Sequence, residues 1–434
     1  MVFDINYFHD LKGTDLDRLL AEGWFRHTEI MARYELMFFD EQVKGVVPLR
    51  VDLENYQHSK GQRKQLKKIT HLKREIKPLE ITSELDQLYR TYRRMRFPEM
   101  GDKSIYEFFN GLTSFDLPYE TWQVTYKLDG ELIAASFFDV GKESTCGLLG
   151  IYHPEQKHLG LGFLSMLVEV EWAIAHGKKY YYPGYLLDSK SVFDYKGRLK
   201  NLEFFNWDNE WHPWENFQAS ETLYHQTRRK LNRLAQELSI RSDYEPQVIE
   251  VKDYFAYRWN NRPTDMQSPL QIQLRTGMAH QLRIEYLHKE EQYRIYPYAF
   301  QAIGQSKDMY TKDADEILDI ADNYYELIHQ MEVLQFQELT PIYQYIRKDV
   351  KSRFSSLDIN LFGNAFPNFT WILFTLKSKR WRIGLGIRQE HLGKEIDRCY
   401  VLERYEPFVG EWGIVGKFWD ENEFEILLEK GLES

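Results

Sequence analysis

A Pro-Gly pair, Pro183-Gly184, interrupts the aromatic strand-like run Lys179–Tyr182, and no other feature constrains this chain as much. Proline lacks a backbone N–H, and glycine adopts backbone angles closed to other residues. The strand is therefore expected to stop there. Its end would leave backbone groups free, the place where open α/β sheets bind ligands. Tyr185, Asp188, Tyr195, Lys196 and Gly197 follow at once. One short segment thus holds a broken strand, a carboxylate, phenols and an amine.

The flanking sequence predicts a mixed α/β unit. Residues 1–24 read as a helical lead-in, with Asp15 capping a helix through Leu20 and Gly23 ending it. Strands are expected at Trp122–Tyr126 and Leu132–Asp139, joined by the hairpin signal Asp129-Gly130, and at Thr145–Tyr152. A Gly-rich turn and a helix over Leu161–His176 lead into the aromatic strand. Residues 83–96 read as a helix with Ser83 as N-cap, and 104–112 as a short aromatic helix. Beyond residue 217 the pattern predicts a basic helix over Glu221–Leu238 and a helix over Ala314–Val333. It also predicts strands at Leu270–Leu274, Gln281–Leu287, Gln292–Tyr298, Phe369–Leu376, Trp381–Ile387 and Tyr400–Arg404. The expected division is 1–217 and 218–434, the latter an accessory α/β domain of unassigned fold.

Two cysteines, Cys146 and Cys399, exclude a multi-thiolate metal site, so no metal and no cofactor is expected. No run has the roughly 18 apolar residues of a membrane span, and the first residues lack a signal peptide's pattern. The expected location is cytoplasmic, with no membrane partner. The net charge is −10, so nucleic acid would have to meet a local patch. One exists: Ser59 to Arg74 carries Lys60, Arg63, Lys64, Lys67, Lys68, Lys73 and Arg74 without an acid. Such a run is either a solvated helix face or a track for a phosphate backbone. Lys157–Gly162, KHLGLG, has the glycine spacing of an acyltransferase pyrophosphate loop, because backbone N–H groups close on anions at a helix start.

Several boxes occur in one order over residues 20–207. GWFRHTEIMARY supplies Gly23, Phe25 and Arg26, and VPLRVDLENYQHSKGQRK supplies Pro48, Arg50, Tyr56, Ser59, Lys60, Gln62 and Arg63. LYRTYRRMRFPEMG, AASFFDV with Asp139, and LGLGFLSMLVEVEWA with Gly160, Gly162 and Glu171 come next. YYYPGYLLDSKSVFDYKG closes the series with Tyr182, Gly184, Tyr185, Tyr195 and Lys196. Together they resemble the aminoacyl-tRNA–protein transferases of the N-degron pathway, the arginyl- and leucyl-transferring enzymes. That family's cysteine cluster is absent here, Pro183 replaces an apolar residue, and Ser189 replaces a cysteine.

The resemblance implies a GNAT-like acyltransferase domain. It implies transfer of an aminoacyl group, arginyl being the favoured donor, from aminoacyl-tRNA to the N-terminal α-amine of an acceptor protein, marking it for degradation. An α-amine with pKa near 7.7–8.0 attacks the ester itself, so no enzyme nucleophile is required. Lys196 and the strand break would meet the developing oxyanion, Asp139 would orient the amine, and Tyr185 and Tyr195 complete the catalytic set. Arg26 and Arg50, with Tyr182 and Gly184, would hold an acceptor beginning with Asp or Glu. Ser59, Lys60, Gln62, Arg63, Lys64, Lys67 and Lys68 would bind tRNA. Lys196→Met and Asp139→Asn are each expected to keep a near-normal melting temperature. The alternatives are an acyl-CoA-dependent GNAT enzyme and a non-catalytic tRNA- or degron-binding adaptor.

Overall fold

The computed structural model describes residues 1–8, 10–28, 30–97, 101, 103–110, 119–242, 244–260, 266–276, 280–298, 308–350, 358–361, 372–388, 397–406 and 411–433. The chain forms two compact units, 1–229 with 250–269 and 230–249 with 270–434. Among the described residues no helix is long and apolar enough to cross a membrane.

The first unit opens with a strand, β1 (Phe3–Tyr7), where a helical lead-in was expected; the helix α1 starts only at Gly13 and runs to Ala21. β1 pairs with β3 (Ile30–Tyr34), which also pairs with β2 (Phe25–His27). Tertiary pairing thus overrides the local signal. A larger sheet follows: β4 (Leu36–Phe39), β5 (Gln42–Asp52), β6 (Lys73–Pro78), β7 (Thr121–Leu128), β8 (Glu131–Val140), β9 (Ser144–Tyr152), β10 (Tyr180–Leu187), β11 (Leu202–Phe205) and β12 (Trp211–Pro213). Its order is β12-β11-β5-β10-β9-β8-β7-β6, with β4 on β5. The hairpin expected at Asp129-Gly130 is present, with both residues at positive φ, as a tight two-residue turn requires.

Further helices dress this sheet after α1. α2 (Lys60–Lys67) starts at a reciprocal capping box, in which Ser59 Oγ accepts from Gln62 N and Gln62 Oε1 accepts from Ser59 N. α3 (Ser83–Arg96) is capped by Thr82, not Ser83: Thr82 Oγ1 accepts from Leu85 N. The short aromatic helix is α4 (Ile105–Asn110), and the rest of its expected span lies outside the described residues. α5 (Leu161–Ala175) is apolar nearly all round and packs on the sheet through Leu164, Leu167, Val168 and Trp172.

β10 is the only strand of this sheet with a parallel partner other than β9 itself, among the described residues. It runs parallel to β9 through Tyr180–Tyr182 and antiparallel to β5. The expected end at Pro183-Gly184 is instead a bulge: the register with β5 shifts between Tyr181 and Gly184, and the strand continues to Leu187. Pro183 and Gly184 (φ +90°) therefore end the pairing with β9 without ending the strand. Hairpins, a Gly-capped helix and a parallel strand that leaves its neighbour midway make the mixed α/β arrangement of this unit.

Among the described residues the second unit holds two five-stranded sheets, antiparallel in one from Leu270 to Thr311 and in the other from Asp358 to Phe418. The first comprises Glu245–Glu250, Leu270–Thr276, His280–Leu287, Gln292–Tyr298 and Met309–Thr311; the second, Asp358–Leu361, Ile372–Leu376, Lys379–Arg388, Asp397–Glu406 and Glu411–Phe418. Residues 369–371 of one expected strand lie outside the described residues. The two expected helices appear as Leu223–Arg241 and Ala314–Tyr345. Phe374, Trp381, Phe418 and Phe424 centre a separate core in this unit.

Candidate active site

The bulge in β10 opens the sheet between β9 and β10. The 3-10 turn Asp194–Arg198 brings Lys196 back against the bulge, at Gly184 and Tyr185. Lys196 Nζ donates to the Tyr185 carbonyl at 3.2 Å and lies beside the Tyr185 and Phe193 rings. A Cβ on Gly184 would sit 3.1 Å from Nζ, so a glycine at that position lets the amine approach the bulge. Among the described residues no carboxylate lies within ion-pair distance of this amine. Its pKa is lowered to about 8 by burial, with Cys146 and Glu169 pulling it back up.

Behind it, Tyr181 of β10 donates its hydroxyl to Glu169 Oε2 of α5 at 2.7 Å, and both residues are buried. Burial raises the Glu169 pKa to about 7, against the Tyr181 hydrogen bond. The sequence boxes point to Glu171 and pass over Glu169. The signal for Glu169 is its place as a lone acid inside the apolar run LSMLVEV. Glu171 instead faces outward to His58 at 3.4 Å and Arg74 at 3.6 Å.

Arg26 and Asp139, expected to act separately on the acceptor, pair with each other. Arg26 Nη1 donates to both Asp139 oxygens, at 2.9 and 3.1 Å, and to Thr121 Oγ1; Thr121 Oγ1 itself donates to Asp139 Oδ1 at 2.6 Å. The guanidinium stacks on the Tyr119 ring at 4.0 Å. Asp139 is 0% exposed, and burial pushes its carboxyl pKa up while Arg26 pulls it down. With its charge met inside, Arg26 is not open to an acceptor's carboxylate.

Arg50 differs. It lies between the Tyr180 and Trp211 rings, at 4.3 and 4.5 Å, and donates through Nε to Glu203 at 2.6 Å. This pair is only partly buried. Tyr182 is buried beside Arg50, and its pKa is raised chiefly by burial. Next to it is a small hollow lined by Leu20, Trp24, Phe25, Leu49, Tyr182 and Gly184, with no carboxylate in its wall.

The other two expected phenols face different neighbours. Tyr185 packs on Phe25, Tyr34 and Phe193, and Tyr34 in turn hydrogen-bonds half-buried His27 at 2.8 Å. His27 is held neutral, its pKa lowered to about 4 by burial. Tyr195 is neutral too, raised to about 12 by burial and then by Tyr92. Tyr92 packs edge-on to Tyr152 beside it. At the start of α5, Gly160 (φ +68°) and Gly162 have open space where side chains would be.

The basic track splits in two. Lys60, Arg63, Lys64, Lys67 and Lys68 are exposed on α2 and at its end. Ser59 and Gln62 turn inward: they form the cap, and Gln62 Nε2 donates to the Arg198 carbonyl at 3.1 Å. That bond ties the track to the turn carrying Lys196.

Residues 84–206 match the family model described as the C terminus of arginine-tRNA-protein transferase. An aspartate/glutamate leucyltransferase of Xylella fastidiosa (strain M23) is 27% identical over 212 residues, covering 46% of this chain and 80% of that protein. Its counterpart from Rhodopseudomonas palustris (strain ATCC BAA-98 / CGA009) is 28% identical over 199 residues, covering 43% and 75%. Among solved structures, the crystal structure of FemX is 10% identical with a TM-score of 0.28, covering 42% of this chain and 63% of its own.

Proposed function

We propose that this chain, whose residues 84–206 match the C-terminal model of arginine-tRNA-protein transferase, moves an apolar aminoacyl group, leucyl first among them, from tRNA to the α-amine of a protein beginning with Asp or Glu. One observation carries the reading: Lys196, a cation with no direct carboxylate partner among the described residues, stands at the β9/β10 opening beside a small apolar hollow. The relatives' names, aspartate/glutamate leucyltransferases, favour a leucyl donor over the arginyl group expected from sequence.

The acceptor nitrogen attacks the ester carbonyl carbon, and negative charge builds on the carbonyl oxygen. The Lys196 ammonium meets that charge in a partly water-excluded opening, where such stabilisation is strongest. The carbon–oxygen bond to the ribose then breaks, and the departing oxygen takes a proton. Tyr195, held as a neutral phenol, is the donor we assign to it, and the proton the acceptor nitrogen sheds on forming the amide restores that phenol. Arg50 takes the acceptor's acidic side chain, with Glu203 yielding part of the guanidinium edge. Asp139 holds Arg26, Thr121 and the β7–β8 ladder in place behind the site. The α2 cations run along the tRNA backbone. Degradation of the modified acceptor is the consequence we assign to the product.

Transfer from leucyl-tRNA and arginyl-tRNA to peptides starting with Asp, Glu or Ala tests the reading. Leucyl transfer to the acidic peptides is expected. Arginyl transfer of equal efficiency would return the donor to arginine, and no transfer from either would sink the proposal.

A further inference from the structure

Arg198 closes the 3-10 turn that carries Lys196. In such a turn residues two apart point about 120° from each other, so the two cations face different ways. Lys196 turns in against the bulge, while Arg198 is exposed. The Arg198 guanidinium lies over the Phe163 ring at 4.2 Å, in the first turn of α5, which holds no acid. Among the described residues it has no carboxylate within ion-pair distance and no hydrogen-bond partner. An aromatic face steadies a guanidinium and leaves its N–H edge open. The start of α5 leaves room for a ligand: a Cβ on Gly160 or Gly162 would meet no atom within 4 Å. The Arg198 carbonyl, meanwhile, accepts the 3.1 Å hydrogen bond from Gln62, a member of the α2 capping box. One residue is thus bonded to the helix of the basic track and lies next but one to Lys196 in the chain.

We infer that Arg198 binds the phosphodiester next to the ester-bearing ribose of the tRNA, and so sets the ester carbonyl against Lys196. The inference rests on the transfer reading for what lies beyond that phosphate, and on the open guanidinium for the contact itself. The ester of an aminoacyl-tRNA sits on the last ribose of an unpaired 3′ end. A protein that held only the duplex would leave that end loose. α2 offers mainly lysines, which act as point charges along a backbone, whereas Arg198 offers a planar fork that takes two phosphate oxygens at once. A contact so near the reacting carbon orients it for attack.

Salt series of binding by the full chain, with deacylated tRNA and with the same tRNA trimmed of its unpaired 3′ nucleotides, test the contact without turnover. Arg198→Gln should bind the intact tRNA about tenfold more weakly, as loss of a charged hydrogen bond does. It should also flatten the slope of log K against log salt by roughly 0.7, the value for one single-strand phosphate. The trimmed tRNA should bind this variant as it binds the parent. Arg198→Lys, which keeps the charge but not the fork, should keep the slope and lose only part of the affinity. Leucyl transfer in Arg198→Gln should fall about tenfold in kcat/KM for tRNA, with KM for the peptide unchanged. Parental binding of intact tRNA by Arg198→Gln overturns the inference. An equal loss with both tRNAs also overturns it, because the contact would then be to the duplex. Where Arg198→Gln does not fold, an Arg198→Lys chain that matches the parent on both tRNAs overturns it. A chain that transfers nothing while the loss still depends on the 3′ end would sink the transfer reading and leave the phosphate contact standing.

Discussion

Two charged residues that sequence assigns to one task sit in opposite surroundings. Lys196 has a carbonyl and two rings for company, whereas Asp139 is locked to Arg26 and Thr121 at full burial. Replacing Lys196 with Met removes a charge held by no direct ion pair among the described residues. Lys196→Met should therefore keep its melting temperature and lose about 10²–10³ in transfer rate, as removal of a transition-state donor does. Asp139→Asn strips a buried guanidinium of its counter-ion, which costs about 3–5 kcal/mol. That variant should melt well below the parent, against the expectation of near-normal stability drawn from the sequence. Circular dichroism melts beside a transfer assay read both. An Asp139→Asn protein of parental stability would show that the Arg26 pairing carries little.

At the scale of elements, α2 concentrates the charge and α5 the burial. The exposed face of α2 and its C-terminal cap offer Lys64, Lys67 and Lys68, none in an ion pair among the described residues. Changing the three to Gln should weaken tRNA binding and flatten the slope of log K against log salt by roughly 0.9 for each duplex phosphate no longer neutralised. A filter-binding salt series measures it, and an unchanged slope removes the helix from the interface. Ser59→Ala acts differently, through the cap: it should destabilise the helix by about 1 kcal/mol. Sequence shows the charge run but not that Ser59 and Gln62 serve the cap, because a capping box and a binding box share their residue types. It shows the Asp129-Gly130 hairpin and α5, whose signals are local. It misses β1, whose partner β3 begins more than twenty residues later, and it presents the Pro183-Gly184 bulge as an end. Both errors have one cause: strand pairing is decided by neighbours that no window contains. The Arg26–Asp139 pair joins residues 113 apart and is invisible for the same reason.

The whole molecule contains more than one hydrophobic core. In the first unit the core gathers Leu49, Val51, Tyr126, Leu167 and Tyr181, while in the second Phe374, Trp381, Phe418 and Phe424 make their own. Chains with separate cores depart from two-state unfolding. Calorimetry of the full chain should therefore show two overlapping transitions, or one whose van't Hoff enthalpy falls short of the calorimetric value. Asp139→Asn gives the assignment, since its damage lies inside the first core. It should lower one transition by many degrees and leave the other near its parental temperature. Leucyl-tRNA, if it engages α2 and the β9/β10 opening, should raise that same transition by mass action and not its companion. A single transition that shifts as a whole with both the substitution and the ligand would mean that the two cores unfold as one, and the division of labour between a transferring unit and an accessory one would lose its physical basis.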